Sequence, residues 1–87
     1  MPSEEEIRDA VRQFIMTEFL SSEDPTLLTD ETKLISGGIM DSIATVRLVS
    51  YLEERFDIEF ESHDVTVSRF DTIERIVGTV QEKRDAS

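Results

Sequence analysis

Ser42, His63 and the carboxylates are the residues of this chain with chemistry to offer. Ser42 follows Asp41 at the junction between a glycine-containing loop, Gly37-Gly38-Ile39-Met40, and a helical run. The start of a helix presents unpaired N–H groups and a positive dipole end, which suits a phosphate ester. On its own, a Ser in that place is a capping residue. His63 is the only histidine. It lies in the polar stretch Ser62-His63-Asp64 without a Ser or Cys constellation, so it reads as a solvated or helix-start histidine and not as a general base. The carboxylates raise the question of Ca²⁺. The nearest candidate loop begins at Asp30, but Thr32 and Leu34 fall at ligand positions and the motif fails. Gly37-Gly38 belongs to neither phosphate-loop pattern and reads as a turn with positive φ. Metal sites are not expected.

Composition narrows the classes further. The chain has 87 residues, a length for one domain, 1–87. Its 9 basic and 20 acidic residues give a net charge of −11. Nucleic acid is excluded as a direct partner, because phosphate binding needs clustered Lys and Arg. An anionic membrane surface would repel the chain. There is no cysteine, which excludes disulfides, Cys-based zinc sites and a Cys nucleophile. No apolar run approaches the roughly 20 residues of a membrane span. The acidic start, Met1 to Ala10, does not read as a signal or transit peptide. The expectation is a soluble, cytoplasmic, monomeric domain with a small core.

The elements that must position Ser42 are helical. Residues 3–20 carry Ile7, Ala10, Val11, Phe14, Ile15, Met16, Phe19 and Leu20 near helical spacing. Ser3 and Glu6 form a capping box, and Glu4 to Glu6 suit the positive helix end. Residues 21–41 hold Pro25 and the two glycines, and predict a long ordered loop packed through Leu27, Leu28, Leu34, Ile35 and Ile39. Asp41 caps a second helix over 42–56. Its core stripe is Leu48, Val49, Leu52 and Phe56. Ile43, Val46, Arg47, Ser50 and Glu54 lie on roughly the opposite face, which leaves Ile43 and Val46 partly exposed near Ser42. Asp57 to Phe60 reads as extended, and 62–68 as at most one helical turn. Asp71 with Glu74 predicts a D-x-x-E start to a last helix with the stripe Ile73, Ile76, Val77 and Val80. Gly78 inside it costs about 1 kcal/mol against Ala. The tail from Glu82 is expected to fray. The sum is an all-α four-helix bundle, three longer helices and a short one, with a long loop between the first and second.

The run from Gly38 to Phe60 resembles the heart of an acyl carrier protein, a family with an Asp-Ser-Leu signature followed by an amphipathic helix ending in a Leu-Glu-Glu-x-Phe-like stretch. Length, acidity and helix order extend the resemblance along the chain. It implies a covalent carrier and not an enzyme. A phosphopantetheinyl transferase would attach 4′-phosphopantetheine from coenzyme A to Ser42, and its thiol would hold an acyl or aminoacyl cargo placed there by a loading ligase or transferase. Asp41, Ile43, Val46, Arg47, Ser50, Glu53 and Glu54 would meet partner enzymes. Ile43 replaces the usual Leu. Arg47, Ser50 and Arg55 stand where fatty-acid-synthesis carriers have an acid, a bulky apolar residue and an acid. The stretches 41–46, 55–58 and 70–72 are similar to stand-alone D-alanyl and other aminoacyl carriers, which favours a specialised carrier over a housekeeping one. The rival from another class is an unmodified acidic helical adaptor using the Ile43/Val46 face.

A net charge of −11 on 87 residues makes the folded chain repel itself. Salt screens this over a Debye length of about 10 Å at 0.1 M. Thermal midpoints should therefore rise from low to moderate NaCl, and a flat or falling series would contradict repulsion as a significant term.

Overall fold

A computed structural model describes residues 3–18 and 28–86. Four α-helices make up the described chain: α1 (Glu4–Glu18), α2 (Ser42–Phe56), the short α3 (Val67–Phe70) and α4 (Ile73–Ala86), with a 3₁₀ turn at Ser62–Asp64. There is no strand among the described residues. The predicted continuation of the first helix through Phe19 and Leu20, and the loop residues 21–27 with Pro25 and Leu27, lie outside them.

Each helix begins where its chemistry allows. Ser3 Oγ accepts the Glu6 N–H at 3.2 Å, and Glu4, Glu5 and Glu6 crowd the positive end of α1. Its buried stripe is Ile7, Ala10, Val11 and Ile15, packed mainly against α4 and also on α2. Phe14 is half-buried and stacks on Tyr51 of α2 with ring centroids 4.6 Å apart. Met16 is half-buried at the edge of the core, and Val49 is half-buried at the edge of the α2 stripe. α2 ends at Asp57, which adopts the left-handed conformation at φ 54° and sends its N–H to Glu53 O. Beyond it Ile58 and Phe60 return to the core. Phe60 meets the fully buried Phe70 edge to face at 5.5 Å. A buried Phe contributes about 1.5–3 kcal/mol, which explains how a single turn of α3 is retained.

The start of α4 corrects the sequence expectation. Thr72, not Asp71, caps it: Thr72 Oγ1 accepts the Arg75 N–H at 3.2 Å, and Thr72 O accepts the Ile76 N–H. Asp71 ends α3 and turns its carboxylate towards the loop before α2. The tail also departs from expectation, since α4 stays helical to Ala86. Within that stretch the Lys83 ammonium lies 2.6 Å from the carboxylate of Asp64, a residue only 2% exposed. That contact ties the last turns of α4 to the 3₁₀ turn. Gly78 is exposed and a Cβ there would meet nothing, so no packing requires it.

The loop from Leu28 to Met40 is ordered by what it buries. Leu28, Leu34 and Met40 sit in the core. Arg8 and Arg12 of α1 both face the Asp30 carboxylate, at 2.9 and 3.0 Å, and Arg12 also donates to Leu28 O. On the other side Asp30 O accepts the Glu74 N–H of α4 at 3.2 Å.

The Asp64–Lys83 pair sets an acid limit on the fold. The Lys83 bond and, next, the Glu61 N–H hold the Asp64 carboxyl below its ordinary value against the opposing effect of burial, and the Asp64 bond raises Lys83. A lowered folded-state value means stability that is complete above the unfolded carboxyl value, about 3.9, and lost as pH falls through the folded one. The raised Lys83 contributes in full below about 10.4 and loses its contribution as pH rises through its folded value. Asp64→Asn should therefore lower the thermal midpoint at pH 7. The gap to the parent should narrow below about pH 4. A gap constant down to pH 3 would show that the pair does not act through charge.

Candidate functional site

The α2 start is built as a cap followed by an open hydroxyl. Asp41 is extended, and its carboxylate accepts the Ala44 N–H at 2.8 Å. Its carbonyl accepts both the Thr45 N–H, at 3.0 Å, and the Thr45 hydroxyl, at 2.8 Å. Ser42 is the first residue of α2 and is exposed. The chain reaches it through a tight turn. Gly38 takes φ +84°, and a Cβ on Gly37 would collide with Lys33 O, so backbone geometry requires both glycines. Leu34 O closes the turn by accepting the N–H groups of Ile39 and Met40 at 2.9 and 2.8 Å.

Two hollows flank Ser42. The larger, about 500 Å³, runs between the loop and the α3 side. It is lined by Ile35 and Met40 of the loop, Ser42 and Val46 of α2, and Val65 and Val67 around the start of α3. The smaller, about 270 Å³, lies on the other side of the helix start and is lined by Gly38, Ile39, Asp41, Ile43, Ala44 and Arg47. Ile43, Val46 and Val67 are the large apolar side chains left open here, at 71, 60 and 51% exposure.

The predicted partner residues separate into two groups. Asp41, Ile43, Val46 and Arg47 surround Ser42, and Ser50 and Glu54 continue the exposed stripe along α2. Glu53 does not join them. It is half-buried, and its carboxylate accepts the Phe60 N–H at 2.9 Å, which holds the segment after α2. Val67 and Ile35 were not foreseen as part of the site. Val67 follows a β-branched run whose only sequence signal was weak helix propensity.

His63 is 70% exposed on the 3₁₀ turn, with its ring nitrogens 3.4 and 3.6 Å from the carboxylates of Glu61 and Asp64. These three residues bring ligand atoms within 4.8 Å of one another. The ammonium of Lys83 already supplies positive charge to Asp64, so the group is an ion-pair cluster.

Residues 5–80 match the family model described as a phosphopantetheine attachment site. The chain belongs to that family of carrier proteins. It is similar to a D-alanyl carrier protein of Streptococcus sanguinis, 38% identical over 69 residues, 79% of this chain and 86% of the relative. A D-alanyl carrier protein of Streptococcus uberis is 33% identical over 86 residues, 99% of this chain and all of the relative. One from Lactobacillus helveticus is 34% identical over 62 residues, 71% of this chain and 77% of the relative. The family's group is 4′-phosphopantetheine, attached covalently, and it supplies the thiol that a cysteine-free chain lacks. The residues of the carrier fit it. An exposed hydroxyl opens the first turn of a 15-residue helix, where a phosphodiester charge would meet N–H groups and the positive dipole end. Apolar side chains beside it offer a dry surface. Carriers of this kind work with a transferase that attaches the group and with ligases that load it.

Proposed function

We propose that the chain is an aminoacyl carrier of the D-alanyl type, with Ser42 as its attachment residue. What supports this most is the exposed Ser42 hydroxyl directly after the Asp41 cap, inside the matched stretch and beside an apolar hollow. The attachment balances as a phosphoryl-type transfer. Ser42 Oγ bonds to the phosphorus that carries pantetheine, a P–O bond of the coenzyme A pyrophosphate breaks, and adenosine 3′,5′-bisphosphate leaves. The serine proton passes to a base of the transferase. In this reading the carrier catalyses no step. It presents cargo as a single domain, 1–87, monomeric and cytoplasmic. Asp41, Ile43, Val46, Arg47, Ser50 and Glu54 form the face that partners read. A fatty-acid-synthesis role draws less support, because the relatives that the chain matches over most of their length are D-alanyl carriers.

Ser42→Ala should abolish modification. Incubation with coenzyme A and a broad-specificity phosphopantetheinyl transferase should add one phosphopantetheinyl mass to the parent and none to the variant. Equal modification of both would place the attachment elsewhere.

Arg47 gives the face its selectivity in the same reading. It stands at the exposed end of the smaller hollow, one turn beyond Ile43. A carboxylate on the loading ligase would pair with it, whereas a partner with a basic group at that point would be repelled. Arg47→Glu should slow loading by the D-alanine-activating ligase of a streptococcal relative several-fold at low salt. The difference should shrink as salt rises. It should also improve use by fatty-acid-synthesis enzymes. Equal rates across ionic strength would move the discrimination to Ser50 or the long loop.

A further inference from the structure

We propose that Asp71, far from Ser42 in sequence, is a positioning residue for the modification of Ser42, an inference that rests on the carrier reading above. Asp71 is 7% exposed and faces the loop, not the helix it precedes. One carboxylate oxygen accepts the N–H groups of Ile35 and Ser36, both at 2.9 Å. The other accepts the Ser36 hydroxyl at 2.7 Å, and the Asp71 carbonyl accepts the Leu34 N–H at 2.6 Å. Three consecutive loop residues are thus fixed by one residue at the α3–α4 junction.

The consequence reaches Ser42 through the turn. Leu34, held by Asp71, accepts the N–H groups of Ile39 and Met40 with its own carbonyl. Met40 is followed by Asp41, whose carboxylate caps α2. Ile35, held by the same contacts, also lines the larger hollow together with Ser42, Val65 and Val67. Asp71 therefore controls both the entry of the chain into α2 and the surface next to the reacting hydroxyl. Capping of α4 does not account for it, because Thr72 performs that task.

The test combines backbone amide exchange with transferase kinetics on the apo chain and coenzyme A. The variants are Asp71→Ala, Asp71→Asn and Ser36→Ala, with Val80→Ala as a control that weakens the core without removing a side-chain hydrogen bond. Asp71→Ala should lower kcat/KM for modification about tenfold or more, since small displacements of reacting groups lower rates steeply. It should also speed exchange at Ile39, Met40 and Ala44, whose N–H groups do not contact Asp71. Asp71→Asn keeps an oxygen for both backbone N–H groups and should restore most of the rate. Ser36→Ala should fall between. These two variants decide the matter if Asp71→Ala does not fold. Asp71→Ala or Ser36→Ala modified at the parent rate would overturn the proposal. So would Val80→Ala modified as slowly as Asp71→Ala at a matched thermal midpoint. A parent chain that takes no phosphopantetheine would overturn the carrier reading instead, and the exchange measurement would still decide whether Asp71 sets the α2 start.

Discussion

The loop from Leu28 to Met40 has no regular structure, yet Leu28, Leu34 and Met40 pull it into the core. Burying those side chains brings backbone N–H and C=O groups away from water, and each needs a partner. Asp71 answers that demand for Leu34 to Ser36, and Leu34 O answers it for Ile39 and Met40. A buried carboxylate is costly unless hydrogen-bonded. Here the two needs cancel: the loop lacks acceptors and the carboxylate lacks donors. The Ser36 bonds, foremost, hold the Asp71 carboxyl below its ordinary value against the effect of burial, so it stays charged where the loop needs it. The orientation of α2, and with it the exposure of Ser42, rests on this exchange.

Local signals carried the sequence reading a long way. The α1 stripe, the Asp41 cap, the glycine turn and the exposure of Ile43 and Val46 each depend on residues within about a turn of one another. The cap, the turn and the exposure are found in the fold, as is the α1 stripe from Ile7 to Met16, while Phe19 and Leu20 lie outside the described residues. The misassigned Asp71 shows where local reading stops. Asp71-Thr72-Ile73-Glu74 satisfies a capping pattern from Asp71, but Thr72, one residue on, is also a cap former. The choice between them was made by Ile35 and Ser36, 36 and 35 residues away. No periodicity encodes that pairing. Glu53 is a similar case, since its reach to Phe60 depends on the left-handed turn at Asp57. Lys83 in the tail found Asp64, and a stretch read as fraying became helix.

The long-range ion pairs share this character. Arg8 and Arg12 meet Asp30, Arg55 meets Glu6, Arg69 meets Glu82 and Lys83 meets Asp64. Exposed pairs such as Arg55–Glu6 contribute little stability singly. Their effect is to place scarce positive charge at junctions between elements, so acids elsewhere face solvent. Arg47 has no such contact among the described residues, and it lines the smaller hollow at the start of α2 with Asp41 and Ile43.

An exposed apolar patch on a small protein invites self-association. Ile43, Val46 and Val67 are left open in this way, and in the proposed carrier role they would have to stay open for successive partners. The net charge of −11 resolves the conflict. Two copies approaching through this face bring their acidic surfaces together, and that repulsion acts over about a Debye length before apolar contact begins. A partner with a basic rim meets the opposite field and is drawn in. The acidity of the chain therefore fits the proposed role, in which a basic partner would be steered in while a second copy is held off.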